Sequence, residues 1–145
     1  MSIRSRNIRV RWLLLGAMLL MTVVLAGCGG SESILPDYVQ SSPQTVQEAY
    51  QFAVDHPDML THQPCYCGCG SMGHTNNLDC FISDISEIGE IAFDGHASGC
   101  GICVDIAQDV MRLSKEGKSQ LEIRQYIDTT YRPFGPSTDT LMPEA

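Results

Sequence analysis

The sequence predicts a small, single, mainly α domain of three to four helices, with a cysteine- and glycine-rich irregular or short β segment over residues 63–103. Three observations carry that expectation. Apolar residues recur at helical spacing just after residue 42, two further such stretches follow residue 103, and every cysteine except Cys28 lies between residues 65 and 103.

The N-terminus comes first in order. Arg4, Arg6, Arg9 and Arg11 precede an apolar run over residues 12–24, with no acidic residue among them, which is the pattern of a secretory signal. The run falls short of the roughly 20 residues that span a bilayer. It ends in Leu25-Ala26-Gly27-Cys28, which resembles the lipobox of bacterial lipoproteins. Small residues at 26 and 27 admit the peptide to a protease site, and the Cys28 thiol would take the lipid. The expected mature chain begins at Cys28, outside the cytoplasm and anchored to the membrane by its N-terminal lipid. Losing residues 1–27 removes four of nine basic side chains and leaves five against seventeen acidic ones, a formal charge of −12. Such a domain is a poor partner for nucleic acid.

Residues 28–42 are rich in Gly and Ser, with one Pro and one Gln, and read as a flexible tether. Ser42-Pro43 then supplies an N-cap residue and a first-turn proline, and Val46, Ala49, Tyr50, Ala53 and Val54 form one apolar face. Pro57 stops this helix near His56. Ile82, Ile85, Ile88 and Ile91 have near-helical spacing, but Gly89 interrupts them, and a short strand pair or irregular loop is the better reading. Over residues 103–116, Ile106, Ala107, Val110, Met111 and Leu113 mark a helix that Gly117 ends. Ser119 and Glu122 form a capping box that opens another, with Leu121, Ile123, Ile127 and Tyr131 on its apolar side. The two predict an antiparallel helix pair. The domain is thus expected over residues 43–135, with residues 136–145 a loose tail.

The cysteines carry the chemistry. In Pro64-Cys65-Tyr66-Cys67-Gly68-Cys69 the thiols alternate, and an extended backbone would point all three to one side. Cys100-Gly101-Ile102-Cys103 sits where a helix begins, and unpaired amides there favour a thiolate. Cys80, His74 and His96 lie near enough in sequence to join them. His56 and His62 are weaker candidates, as are the thioethers of Met59, Met72 and Met111, the last of which falls in core register. Sulfur donors select soft ions, so copper(I) leads over zinc, and calcium and magnesium are disfavoured.

The motif over residues 64–69 resembles that of bacterial lipoproteins named for their PCYCGC sequence. The likeness runs from about residue 50 to 131 and includes Phe52-Ala53-Val54-Asp55-His56-Pro57, Asn77-Leu78-Asp79-Cys80-Phe81 and His96 with Cys100 to Asp105. A second likeness is confined to residues 100–131: Cys100 and Cys103, then Glu116-Gly117-Lys118-Ser119, Glu122-Ile123 and Tyr131, are similar to the small helical domain of cytochrome c maturation thiol oxidoreductases. That likeness implies thiol handling by Cys100 and Cys103 and an exported cytochrome partner. The residues before this pair do not match, and the PCYCGC segment has no counterpart there.

Three readings follow. The leading one is a binding protein rather than an enzyme: Cys65, Cys67, Cys69, Cys80, Cys100 and Cys103, with His74 and His96 as further ligands, hold a soft metal for sequestration or for transfer to an exported metalloprotein. The second is a module stapled by disulfides, with no metal. The third is thiol–disulfide chemistry at Cys100 and Cys103, the only catalytic pair on offer.

Overall fold

A computed structural model describes residues 33–144. The expected signal, the expected lipobox at Leu25, Ala26 and Gly27, and the expected lipidation site at Cys28 lie outside the described residues. Among those described, no helix is long and apolar enough to cross a membrane. The domain is mainly α, as its periodicities predict, with five helices and one small sheet.

The first helix is a single turn, α1 (Asp37–Gln40), with Val39 and the preceding Leu35 in the core. The tether reading of residues 28–42 therefore fails from residue 34 onward. Two well-placed aliphatic side chains suffice to dock the segment, and the Gln40 amide donates to the Leu35 carbonyl to close the turn at 2.6 Å. Helix α2 (Gln44–Asp55) follows from Pro43 and buries Val46, Ala49, Tyr50, Phe52 and Ala53. His56 leaves helical geometry (φ −139°, ψ 54°) ahead of Pro57, as the steric rule for pre-proline residues requires. Pro57 then opens a short helix the spacing did not reveal, α3 (Pro57–Thr61), whose buried residue is Leu60.

The strands are β1 (Ile82–Ile85) and β2 (Ile91–Phe93), antiparallel, with Ile82 opposite Phe93, Ile85 opposite Ile91, and an irregularity between Ile82 and Asp84. Their turn needs Gly89, whose φ of +83° is left-handed. Tyr50 joins this hairpin to α2. Its ring stands edge-on to Phe81 at 5.0 Å, and its hydroxyl donates to the Asp94 carbonyl at 2.7 Å.

Helix α4 (Gly101–Lys115) is the spine of the core, burying Cys103, Val104, Ile106, Ala107, Val110 and Leu113. Each such aliphatic side chain contributes about 1.5–3 kcal/mol when fully buried. Helix α5 (Gln120–Tyr131) starts at the expected capping box, complete in both directions, and buries Ile123 and Ile127. Tyr131 donates to Asp109 at 2.8 Å while Arg112 lies over the Tyr126 ring, so the contacts run in opposite order along the two helices. That is the antiparallel pair.

The tail is not loose. Thr138 is buried, and Arg124 donates to the carbonyls of Thr140 and Leu141. A chain that looks like solvent-exposed coil by composition is held by its backbone carbonyls and two hydroxyls, which carry no hydrophobic signature.

Candidate metal centre

The PCYCGC segment crosses the molecule between α3 and the Cys69–Met72 turn. Pro64, Cys65 and Tyr66 are buried, Cys67 is half-buried, and Gly68 adopts a left-handed φ of +86° that a side chain would strain. This reversal turns the chain into a 3-10 turn and directs Cys69 inward, so the three alternating thiols converge without a continuous strand. Their sulfurs lie within 4.8 Å of one another.

Two anchors hold the segment. The Cys65 N–H donates to Thr138 Oγ1 and the Thr138 N–H donates back to the Cys65 carbonyl, both at 2.9 Å. Tyr66 donates to Asp128 at 2.6 Å, and Asp128 is gripped by Arg124 Nε, 3.0 Å from each carboxylate oxygen. Arg124 also donates to the His62 carbonyl, tying α5 to the residues just before the motif.

Other elements bring the remaining donors. Cys80 ends the Leu78–Cys80 turn, His96 opens the His96–Gly99 turn, Cys100 is the N-cap of α4 and Cys103 lies in its first turn. Asn77 is fully buried and donates to the Cys103 carbonyl, fixing the turn of Cys80 against α4. Asp94 accepts from the His96 N–H at 2.7 Å and so sets the turn that presents the imidazole.

The sulfurs are crowded. Cys65 is 3.3 Å from both Cys67 and Cys103, Cys67 is 3.5 Å from Cys103, and Cys69 is 3.6 Å from Cys80. His96 Nε2 lies 3.4 Å from the Cys67 sulfur. These separations exceed the ~2.05 Å of a disulfide, and all six described cysteines are free. They approach the roughly 3.8 Å between sulfurs that share one tetrahedral ion at 2.3 Å. All six sequence-predicted cysteines and His96 thus meet in one place. His74 stands at its edge, with Nδ1 3.5 Å from the Cys80 sulfur and Nε2 3.8 Å from Asp94. His56 packs on Phe52, Met72 is exposed, and Met59 and Met111 pack against the core.

The electrostatics favour a cation. Hydrogen bonds from Cys103 and then Cys80 push the Cys65 thiol far down from its ordinary value. The contact with Cys65 holds the Cys103 proton on. Burial raises Cys67 and Cys69, with the Cys65 charge adding to it. Cys80 is lowered by Cys103 but raised more by Cys65 and burial together. One thiol is thus lowered at the expense of its neighbours, and positive charge placed among them relieves that opposition.

Four overlapping groups of donors can hold an ion: Cys67, His96, Cys100 and Cys103; Cys65, Cys67 and Cys69; Cys65, Cys80 and Cys103; and Cys69, Cys80 and His96. None contains an oxygen donor. Cys65, Cys69, Cys80 and Cys103 form a buried floor, while Cys67, Cys100 and His96 are a half-buried rim open to solvent. The supporting residues Thr138, Asn77 and Asp94 were not among the sequence candidates. Only Asp94, two residues before His96 in a turn-forming Asp-Gly pair, left a readable signal.

A family model described as a protein of unknown function with PCYCGC motif matches residues 18–143. The chain belongs to that family. No curated protein and no solved structure matches it.

Proposed function

We propose that this member of the PCYCGC family is an exported lipoprotein, anchored through Cys28, whose domain binds copper(I) for transfer to or sequestration from other exported proteins. The observation that carries this reading is the convergence of six thiols and one imidazole, drawn from four separate stretches of chain, with no oxygen ligand among them. Soft donors select soft ions. The half-buried rim of Cys67, Cys100 and His96 leaves a side from which a partner's ligands can displace the protein's, which is what handing over an ion requires.

Zinc is the second reading, favoured by one group in particular. Cys67, His96, Cys100 and Cys103 make a Cys3His set of the kind that closes a tetrahedral structural zinc site. It leaves Cys65, Cys69 and Cys80 without a role, and this surplus of sulfur favours copper. The thiol–disulfide reading would need Cys100 and Cys103 set apart as a pair, whereas Cys103 lies against Cys65 and Cys67.

The deciding experiment is anaerobic purification of the reduced protein followed by competition with a copper(I)-selective chromogenic chelator in the presence of zinc. Copper(I) is expected to be taken from the chelator and to expel bound zinc. No copper uptake, or zinc retained against excess copper(I), would overturn the reading. Mass analysis of the N-terminal fragment from a bacterial membrane should find Cys28 diacylated, and an unmodified or uncleaved N-terminus refutes the anchor.

A further inference from the structure

We infer that the site takes copper(I) as a cluster of four ions in which five thiolates each bridge two of them; this rests on the copper reading above. Each of the four donor groups has every donor atom within 4.8 Å of the others. Cys65, Cys67, Cys69, Cys80 and Cys103 each belong to two groups. Cys100 belongs only to the group with Cys67, His96 and Cys103; His96 belongs to that group and to the one with Cys69 and Cys80, and we assign it to the latter. With Cys100 and His96 assigned in that way, every group has three donors.

The bond count then closes. Four three-coordinate ions need twelve metal–ligand bonds. Five bridging sulfurs supply ten, and Cys100 and His96 supply one each. A thiolate has lone pairs enough to bridge two copper(I) ions, while a neutral imidazole does not, so His96, which lies within reach of two groups, serves one of them, and the group with Cys69 and Cys80 is the one that needs it to reach three donors. A three-coordinate ion with bonds of about 2.3 Å holds its ligands roughly 4 Å apart, inside the observed limit.

The burial of the floor also favours more than one ion. Cys65, Cys69, Cys80 and Cys103 are each at most 2% exposed. A single ion bound at the rim by Cys67, His96, Cys100 and Cys103 leaves the three buried sulfurs of Cys65, Cys69 and Cys80 packed together without a metal. Six thiolates and four copper(I) ions together carry a net charge of −2, spread over the cluster. Zinc, which takes four ligands per ion, cannot fill these three-donor groups in the same way.

The test titrates the reduced, full-length mature protein anaerobically with copper(I), reads stoichiometry by native mass spectrometry, and looks for copper–copper scattering by X-ray absorption. The expected result is saturation at four ions per chain with a short metal–metal distance. Saturation below four, or the absence of metal–metal scattering, overturns the cluster while leaving copper binding intact; no uptake at all removes the copper reading as well. Cys65→Ser provides a second measurement. It deletes the bridge shared by two groups but leaves Cys67, His96, Cys100 and Cys103, so four-ion loading should be lost with at least one ion still bound. Four ions still bound by C65S would refute the bridging assignment.

Discussion

At the scale of single residues, the site depends on side chains that donate nothing to a metal. Thr138 is the clearest. Its hydroxyl accepts the Cys65 N–H and lies 2.9 Å from Thr140 Oγ1, and the Thr140 hydroxyl donates to the Thr75 carbonyl, so two hydroxyls link the C-terminal segment to both ends of the cysteine loop. Thr138→Val keeps the shape and removes the acceptor, leaving a buried amide unpaired at a cost of about 1–3 kcal/mol. Urea unfolding of the metal-free protein should show that loss, and Thr138→Ser should recover most of it. A stability equal to wild type in T138V would show that the strap does not hold the loop. The donors themselves were readable from the sequence because cysteine and histidine announce their chemistry by type. A threonine in a Pro-, Ser- and Thr-rich tail announces nothing, since its role arises only from what lies across the fold from it.

At the scale of elements, local signals predicted what local physics controls. Pro57, Gly117 and the Ser119–Glu122 box marked helix ends because their effects act within one turn of chain. Helix α1 and the tail were missed for the opposite reason: Leu35, Val39 and the partners of Arg124 act through tertiary contact, which composition does not record. The capping box gives a pH prediction. The Ser119 backbone N–H, its hydroxyl and Lys118 all hold the Glu122 carboxyl below its ordinary value, about 4.3 in an unfolded chain. A depressed folded-state value means the contribution is present above the unfolded value and lost as pH falls through the folded one. Glu122→Ala should therefore destabilise the protein at neutral pH, and the gap from wild type in urea midpoint should shrink below about pH 4. A gap independent of pH would assign the effect to helix propensity instead. Arg124 is the second test at this scale, because it joins α5 to the His62 carbonyl and to the tail while gripping Asp128 one turn along the same helix. Arg124→Ala should cost about 2–4 kcal/mol and expose the chain beyond residue 134 to limited proteolysis, whereas surface arginines contribute far less.

At the scale of the whole molecule, the donors come from segments that the backbone alone joins loosely. Residues 65–69, 80, 96 and 100–103 meet with only two short strands and three single 3-10 turns among them, while the regular helices lie on either side. Sequence spacing could place the two ends of this arrangement, the PCYCGC loop and the start of α4, but not their contact, because closing a loop of over thirty residues leaves no periodic trace in the chain. The physical consequence is that a bound metal would do for this region what secondary structure does elsewhere. An ion bound only by the folded form stabilises it by mass action, about 4 kcal/mol when free ion exceeds the dissociation constant a thousandfold. For a domain of this size that raises the melting midpoint by on the order of 15 °C. Calorimetry of the reduced protein with and without copper(I) should show the rise, and a stronger copper(I) chelator should abolish it. Hydrogen exchange should then localise the added protection to residues 65–80 and 94–103 while leaving the centres of α4 and α5 unchanged. Protection gained equally along all the helices would mean that the domain folds only when metal binds, and that the core around Tyr50 and Ile106 is not sufficient by itself.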